Sequence, residues 1–353
     1  MARFRAVPMG WSHSVVIAQE IGHDTLFQEA GLNPRDLVKA GMSRQVGACR
    51  FGVYVDDFFI FGTSRKKVLK TYDRIYSALE RRNLPPKPKK CQRPVQDTVT
   101  VLGIEISPSG SIEPAREKLQ EIIAATRSFV QAPVWNVARL QYLLGCWNWF
   151  MLLARPAMAV LRVCYELAAS TRLGVFATRQ AKHELRMLIA LSPLFHATMK
   201  RPNSDVMLCS DASMDGGASL YAPFSLWHVN QDSLLHHVDR TVSSDDRPPD
   251  AKWKLIHKQR WKFKKHINVL EGRAILTGVR WLARQQQKLG VFVSTITDSQ
   301  VLYYLMAKGR SNAPRLWRFG QKMGALLLAC NMRILPIWVA SEHNPADAPS
   351  RSV

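Results

Sequence analysis

The sequence predicts an α/β protein of two or three globular units, and three observations carry that prediction. Residues 51–62 read as strand, two-residue turn and strand, with a helix from about 65 to 83 behind them. From Glu113 to about Met199 apolar residues recur at helical spacing almost throughout. From Asp205 the order is strand, hairpin signal at Asp215-Gly216, strand, basic stretch, helix from about 268 to 289, strand, two helices and strand, which is an α/β layout. With 353 residues, 47% of them hydrophobic, the chain can bury more than one core.

Each element follows from local chemistry. In "RFGVYVDDFFIFGTS" (50–64), β-branched and aromatic residues flank Asp56 and Asp57, so strands are expected on both sides of an Asp-Asp turn. Proline and glycine punctuation at 84–94, 107–114 and 192–205 marks boundaries. Between the first two, "TVTVLGIEIS" reads as one more strand. The apolar run at 142–169 is broken by Asn148, Arg155, Pro156 and Arg162 before about 20 apolar residues accumulate, so it is read as buried helices, with Trp135, Trp147 and Trp149 as core. The first 19 residues hold two arginines and no acid, but "VPMGWSH" breaks any amphipathic helix there, and no targeting segment is expected.

Charge and cysteine usage narrow the function. Lysine plus arginine number 49 against 27 acids, a formal net charge of +22, which calls for a polyanionic partner, with nucleic acid leading. The six cysteines are scattered, with no C-x-x-C pair, so neither a zinc site nor a disulfide framework is indicated; an intracellular setting, cytoplasm or nucleus, and no membrane are expected.

Adjacent carboxylates at 56 and 57 need an explanation in so basic a chain. At roughly 4 Å two like charges repel by about 1 kcal/mol in water and about 4 kcal/mol at an effective dielectric of 20. Aspartate also favours turns by bonding nearby backbone, so the pair alone admits a bland reading. The competing reading is a pair of oxygen ligands for a divalent ion in phosphoryl transfer.

The flanking sequence resembles a retroelement reverse transcriptase. "YVDD" (54–57) looks like the catalytic palm hairpin of that family. "VPMGWSHSVVIAQ" (7–19) is similar in spacing to the segment before it, which implies that Gly10 and Gln19 lie beneath nucleotide and template. Lys90-Cys91 in "LPPKPKKC" stands as in the post-hairpin loop, and "VTVLGIEISPSG" (99–110) looks like the primer grip. Two features depart from the family: the stretch from Pro8 to Tyr54 is longer than in gypsy-like relatives, and Ser14-Val15 replace an Ala-Pro pair.

A second set of acids lies downstream in "CSDASMDGGASLYA", "INVLEGRAI", "STITDSQVLYYL" and "WVASEHNPADAPSR": Asp211, Glu271, Asp298 and Asp347. Singly, each has an ordinary reading: Glu271 as the reciprocal acid of a capping box begun at Asn268, Asp211 and Asp347 as turn residues, Asp298 as a helix cap. In this order and at these spacings they resemble a retroelement ribonuclease H, with a tail most like DIRS-type and hepadnavirus-like polymerases. That resemblance implies two Mg²⁺ (or Mn²⁺) ions held by the four carboxylates. The basic stretch at 230–266 is read as an insertion with two open readings: a solvated basic loop, or a patch in which Lys262, Lys264 and Lys265, interleaved with Trp253, Trp261 and Phe263, track and stack on nucleic acid. His343 is a lone polar-loop histidine and is expected to be exposed.

The resemblance therefore implies a palm remnant at 1–113, a helical thumb or connector at 114–204, and a ribonuclease H-like α/β domain with a mixed sheet at 205–353. The activity it implies is metal-dependent hydrolysis of RNA in RNA·DNA hybrids. RNA template and DNA are further partners. The family takes another metal-binding aspartate from upstream, and no acid precedes Glu20, so the polymerase module is expected to be incomplete unless a separate fingers and palm polypeptide supplies it. The alternative is a non-catalytic nucleic-acid-binding relic of a retrotransposon.

Overall fold

The computed structural model describes residues 13–38, 48–93, 97–224, 252–285 and 289–353. They fall into two compact units, one running up to Val101 and the other from Leu102 onward.

In the first unit, helix α1 (Ser14–Asp24) precedes a hairpin of β1 (Arg50–Tyr54) and β2 (Asp57–Phe61), followed by helix α2 (Arg65–Arg81) and the short strand β3 (Val99–Val101). Helix α2 is amphipathic: Val68, Ile75, Ala78 and Leu79 are buried, and the last three pack with Leu26, Leu37 and Phe51. The hairpin register pairs Tyr54 with Asp57, so the two-residue turn is Val55-Asp56 and not the expected Asp56-Asp57. Asp57 is the first residue of β2. The slip is possible because Val55 takes a left-handed conformation (φ 59°), rare for a β-branched residue.

The second unit begins with β4 (Ile104–Ile106) antiparallel to β5 (Ser111–Pro114). The single strand expected over this region is broken by left-handed Leu102 (φ 51°) and Gly103 (φ 75°). Helix α3 (Arg116–Gln131), strand β6 (Val134–Asn136), helices α4 (Val137–Met151) and α5 (Val163–Ala168), strand β7 (Gly174–Phe176), helix α6 (Arg179–Leu191) and strand β8 (Ala197–Thr198) follow. β6 and β7 pair with each other inside a stretch expected to be helical; three residues each are too few to show a strand period. Trp135 and Trp147 are fully buried as expected, whereas Trp149 is 37% exposed and its indole donates to the Leu102 carbonyl at 3.0 Å. The apolar run Val137–Val160 is long enough to cross a membrane. It is, however, α4 followed by a 3₁₀ segment (Leu152–Val160) that is itself broken at non-helical Ala154, and Leu140, Leu144, Trp147 and Met151 point into the core.

The remainder is a five-stranded mixed sheet. It comprises β9 (Val206–Ala212), β10 (Gly216–Pro223), β11 (Lys254–Arg260), β12 (Phe292–Thr297) and β13 (Arg333–Trp338), in the order β11-β10-β9-β12-β13. The first three strands are antiparallel, and β12 runs parallel to both β9 and β13. Helices α7 (Ile267–Ala283), α8 (Gln300–Lys308), α9 (Pro314–Ala329) and α10 (Asp347–Arg351) complete it. The class is α/β, built on a mixed sheet. Strand β11 corrects the reading of 230–266 as one insertion: its sequence, KLIHKQR, lacks apolar alternation because it is an edge strand with charged side chains facing water. Its 230–251 part lies outside the described residues.

The 3₁₀ segment after α4 is fastened to both α9 and β13. A Cβ at Gly324 on α9 would lie 2.5 Å from the Pro156 carbonyl oxygen, and the Arg333 guanidinium at the start of β13 donates to the Leu153 carbonyl at 2.7 Å. Gly324→Ala is therefore expected to lower stability by about 1–3 kcal/mol in urea denaturation, through overpacking rather than lost contacts.

Candidate functional site

Two of the four downstream acids owe their proximity to strand register. Parallel pairing sets Thr295 beside Leu208 and Ile296 beside Cys209, so Asp298, just past the end of β12, is level with Asp211 near the end of β9. Adjacent strands lie about 4.8 Å apart, and the period of two directs both residues to the same face. The carboxyl ends of neighbouring parallel strands are where open α/β sheets gather ligands. Asp211 is a strand residue, 6% exposed, not a turn residue. Asp298 is not a cap: Ser299 caps α8, accepting from the Leu302 amide, and the Asp298 carbonyl accepts from the Trp338 indole at 2.8 Å.

Glu271 arrives from α7. That helix packs on β9 and β10, where the Ser219 hydroxyl donates to the Ala274 carbonyl at 2.7 Å and Gly278 approaches Leu208. Glu271, Ala274 and Gly278 share one helical face, three and four residues apart, which aims Glu271 at the sheet. The capping-box alternative fails, because the cap is His266, accepting from the Asn268 amide at 3.3 Å, and Glu271 lies a full turn into the helix. Asp347 opens α10, where its charge suits the helix N-terminus, and it pairs with Arg351 at 2.8 Å.

Asp211 feels the charges of Asp298 and Asp347, and Glu271 feels those of Asp298 and Asp211. Burial pushes the Asp211 carboxyl above its ordinary pKa; the charges of Asp298 and Asp347 add to the rise, while the Ser350 hydroxyl and Ala212 amide oppose it. Glu271 is likewise raised, first by burial and then by Asp298 and Asp211, against a hydrogen bond from Ser299. The Arg351 guanidinium is raised chiefly by its bond to Asp347, with Asp211 and Asp298 contributing. Among the described residues no three His, Cys, Asp or Glu side chains close on one point as a finished metal cage. The donor set nonetheless suits a hard divalent cation: it is all carboxylate, mutually repelling, and Glu271 Oε2 is buried without a partner.

Several positioning groups escaped sequence reasoning. The Ser350 hydroxyl donates to Asp211 Oδ2 at 2.5 Å, and Asn344, 5% exposed, accepts from the Cys209 thiol at 2.9 Å and from the Ala346 amide at 3.1 Å. Both stand in the quoted tail "HNPADAPSR", where only their proximity to Asp347 could have flagged them. His343 in that tail is half-buried.

The other candidates are placed as follows. Asp56 and Asp57 are exposed at the hairpin tip, and no third acid joins them among the described residues. Gln19 holds that tip: its Oε1 accepts from the Val55 amide at 2.9 Å and its Nε2 donates to the Val53 carbonyl at 3.0 Å. Gly10 and the Lys90 side chain lie outside the described residues. Lys262, Lys264 and Lys265 are exposed on the loop between β11 and α7, and Phe263 beside them is 71% exposed. Trp261 is no free stacking platform: its ring covers Gly217 and its indole donates to the Ser213 carbonyl at 3.1 Å.

No protein-family model matches the chain, and no curated protein matches it in sequence. Solved structures similar to it include the foamy viral protease-reverse transcriptase dRH in complex with double-stranded DNA, at 15% identity and a TM-score of 0.41, over 94% of this chain and 50% of that one. The foamy viral protease-reverse transcriptase with RNA/DNA hybrid is 13% identical over 98% of this chain and 62% of that one, with a TM-score of 0.36. The N-terminal RNase H domain of a Mycobacterium tuberculosis protein, fused to maltose-binding protein, is 16% identical over 42% of this chain and 91% of that one, with a TM-score of 0.28. The chain thus spans about half the length of the first of these. At these TM-scores the likenesses carry no weight of their own beside the sheet topology and the placement of the acids.

A carboxyl whose pKa is raised in the folded chain binds its proton more tightly there than when unfolded. Its protonation therefore stabilises the fold at low pH, and that contribution is lost as pH rises through the raised value. In metal-free buffer at pH 7, Asp211→Asn is accordingly expected to raise Tm by roughly 2–4 °C, the shift that ~1 kcal/mol produces in a unit of this size. Thermal melts in chelator should show the gain vanish as pH falls below about 4, near the ordinary carboxyl pKa.

Proposed function

We propose that the chain is a metal-dependent nuclease of the ribonuclease H type that cuts the RNA strand of RNA·DNA hybrids, as part of a retroelement reverse transcriptase. The reading is supported by Asp211 and Asp298, level on neighbouring strands, with Asp347 acting on Asp211 from the C-terminal helix and Glu271, its Oε2 buried and unpartnered, acted on by both strand acids from α7. These four residues would hold Mg²⁺ or Mn²⁺. Such ions, when bound, supply an activated water and stabilise the leaving oxygen of the RNA strand. The chain's own contribution is to orient the ligands: Ser350 fixes one oxygen of Asp211, Ser299 hydrogen-bonds Glu271, and Trp338 pins the backbone at Asp298. Choice of RNA follows if 2′-hydroxyls are read across the minor groove.

The same proposal assigns Asp56 and Asp57 to a polymerase-type hairpin and gives Lys262, Lys264 and Lys265 a role in gripping the hybrid backbone. The left-handed Val55, clamped by Gln19, favours the hairpin assignment, since strain of this kind persists where the surroundings enforce it.

Cleavage of a labelled hybrid tests the nuclease directly. Asp211→Asn, Glu271→Gln and Asp298→Asn should each suppress it by orders of magnitude while leaving hybrid binding nearly intact, because binding rests on basic residues; Asp347→Asn should be milder. Asp215→Asn alters an exposed turn acid four residues from Asp211 and should leave the rate unchanged. If the wild-type chain binds hybrid but never cuts it, the reading as a binding relic replaces this one.

A further inference from the structure

Helix α2 of the first unit has open depressions on both flanks, and the nuclease reading uses neither. The larger, of about 780 Å³, is bordered by Lys66, Lys70, Arg74 and Arg81. At 1.5 Å of rise per residue these four cations extend over about 22 Å. Arg74 and Arg81 are partly engaged, donating to the Gly31 carbonyl at 2.6 Å and the Glu29 carbonyl at 2.8 Å. Lys66 and Lys70 are exposed and have no partner among the described residues. With Arg65 and Lys67 they place four cations in the first six residues of a helix whose first turn holds no acid. Positive charge at that end opposes the helix dipole and costs stability, a cost that a bound polyanion would remove.

The smaller depression, of about 340 Å³, shares Asp73 and Ser77 with the larger one and is walled by Tyr72, Tyr76, Pro88 and Arg93. The two phenol rings are stacked with centroids 6.0 Å apart and planes 29° apart. The Arg93 guanidinium lies 5.8 Å from the Tyr72 centroid and is held there by Asp73 at 3.0 Å. A groove with four cations against the two acids Glu29 and Asp73, beside two half-buried tyrosine rings, has the elements that single strands use: charge along a backbone and an aromatic surface for a base.

We propose that α2 is a binding site for single-stranded nucleic acid, with phosphates over Lys66 and Lys70 and a base against Tyr72 and Tyr76. A duplex keeps its bases stacked inside and would leave the tyrosines unused. A lipid surface would need apolar residues to insert, but Val68, Ile75, Ala78 and Leu79 of α2 are buried in the unit's core. The site does not depend on the nuclease reading and would stand if that reading failed.

Fluorescence anisotropy of the full chain with labelled oligo-dT tests it. Lys66→Gln/Lys70→Gln should weaken binding about tenfold near 0.1 M salt and flatten the log–log salt slope by about 1.4, or 0.7 for each lost phosphate contact on a single strand. Tyr72→Leu/Tyr76→Leu should weaken binding about tenfold with the slope unchanged, and an abasic strand of equal length should bind wild type as weakly as oligo-dT binds that variant. Wild-type affinity and slope in the lysine variant would overturn the proposal, as would an abasic strand bound as tightly as oligo-dT. Since Lys66 and Lys70 are exposed, their variant tests the site even if the tyrosine variant fails to fold.

Discussion

The second unit is organised around a carboxylate that its own sheet makes unfavourable. Asp211 sits in the central strand, almost sealed from water, with Asp298 level with it on the neighbouring strand. Putting ionised oxygens there costs free energy by desolvation and repulsion, and both effects raise the Asp211 pKa. The surroundings soften the cost without removing it. Ser350 donates one hydrogen bond and Arg351 brings a positive charge through Asp347, but Glu271 Oε2 stays unpartnered. A structural role alone would be better served by an apolar or amide side chain at 211. The arrangement is economical if the missing partner is a cation.

The C-terminal tail and the sheet are linked through the same acids. Asn344 clamps the tail to β9 through Cys209, Ser350 reaches Asp211, and Arg351 closes back on Asp347. The tail thereby delivers a carboxylate and fixes another. In the first unit a comparable constraint acts on backbone instead of charge: Gln19 holds both sides of a turn whose Val55 is left-handed, leaving Asp56 and Asp57 at an exposed tip.

Much of this was legible in the sequence because the relevant signals are periodic or chemical. The alternation of strand and helix after Asp205 and the amphipathic α2 follow from residue spacing, and the mixed, ribonuclease H-like sheet was implied by the family resemblance. The four downstream acids could be named as a set only because their order resembles a family pattern; singly, each had a plausible ordinary role that the fold then removed for Asp211, Glu271 and Asp298. What was not legible depended on tertiary context. Strand β11 carries no apolar alternation because one edge faces water, and the hairpin turn slipped by one residue because a valine accepted a left-handed conformation. Trp149 and Trp261 look alike in sequence as large aromatics, yet one is surface-exposed and tied to a carbonyl while the other shields Gly217. Ser350 and Asn344 gave no signal beyond their nearness to Asp347, because their partners Asp211 and Cys209 meet them only when the tail folds onto β9.

Whether the four carboxylates form one cation site is tested, without reference to catalysis, by Mn²⁺ titration of the full chain, followed by calorimetry or by loss of the free-ion paramagnetic resonance signal. A shared site binds the ion saturably in the wild type and at least tenfold more weakly in Glu271→Gln, which removes the unpartnered oxygen's charge and preserves its shape. Wild-type binding that never saturates, or a Glu271→Gln isotherm that overlays the wild type, would contradict it.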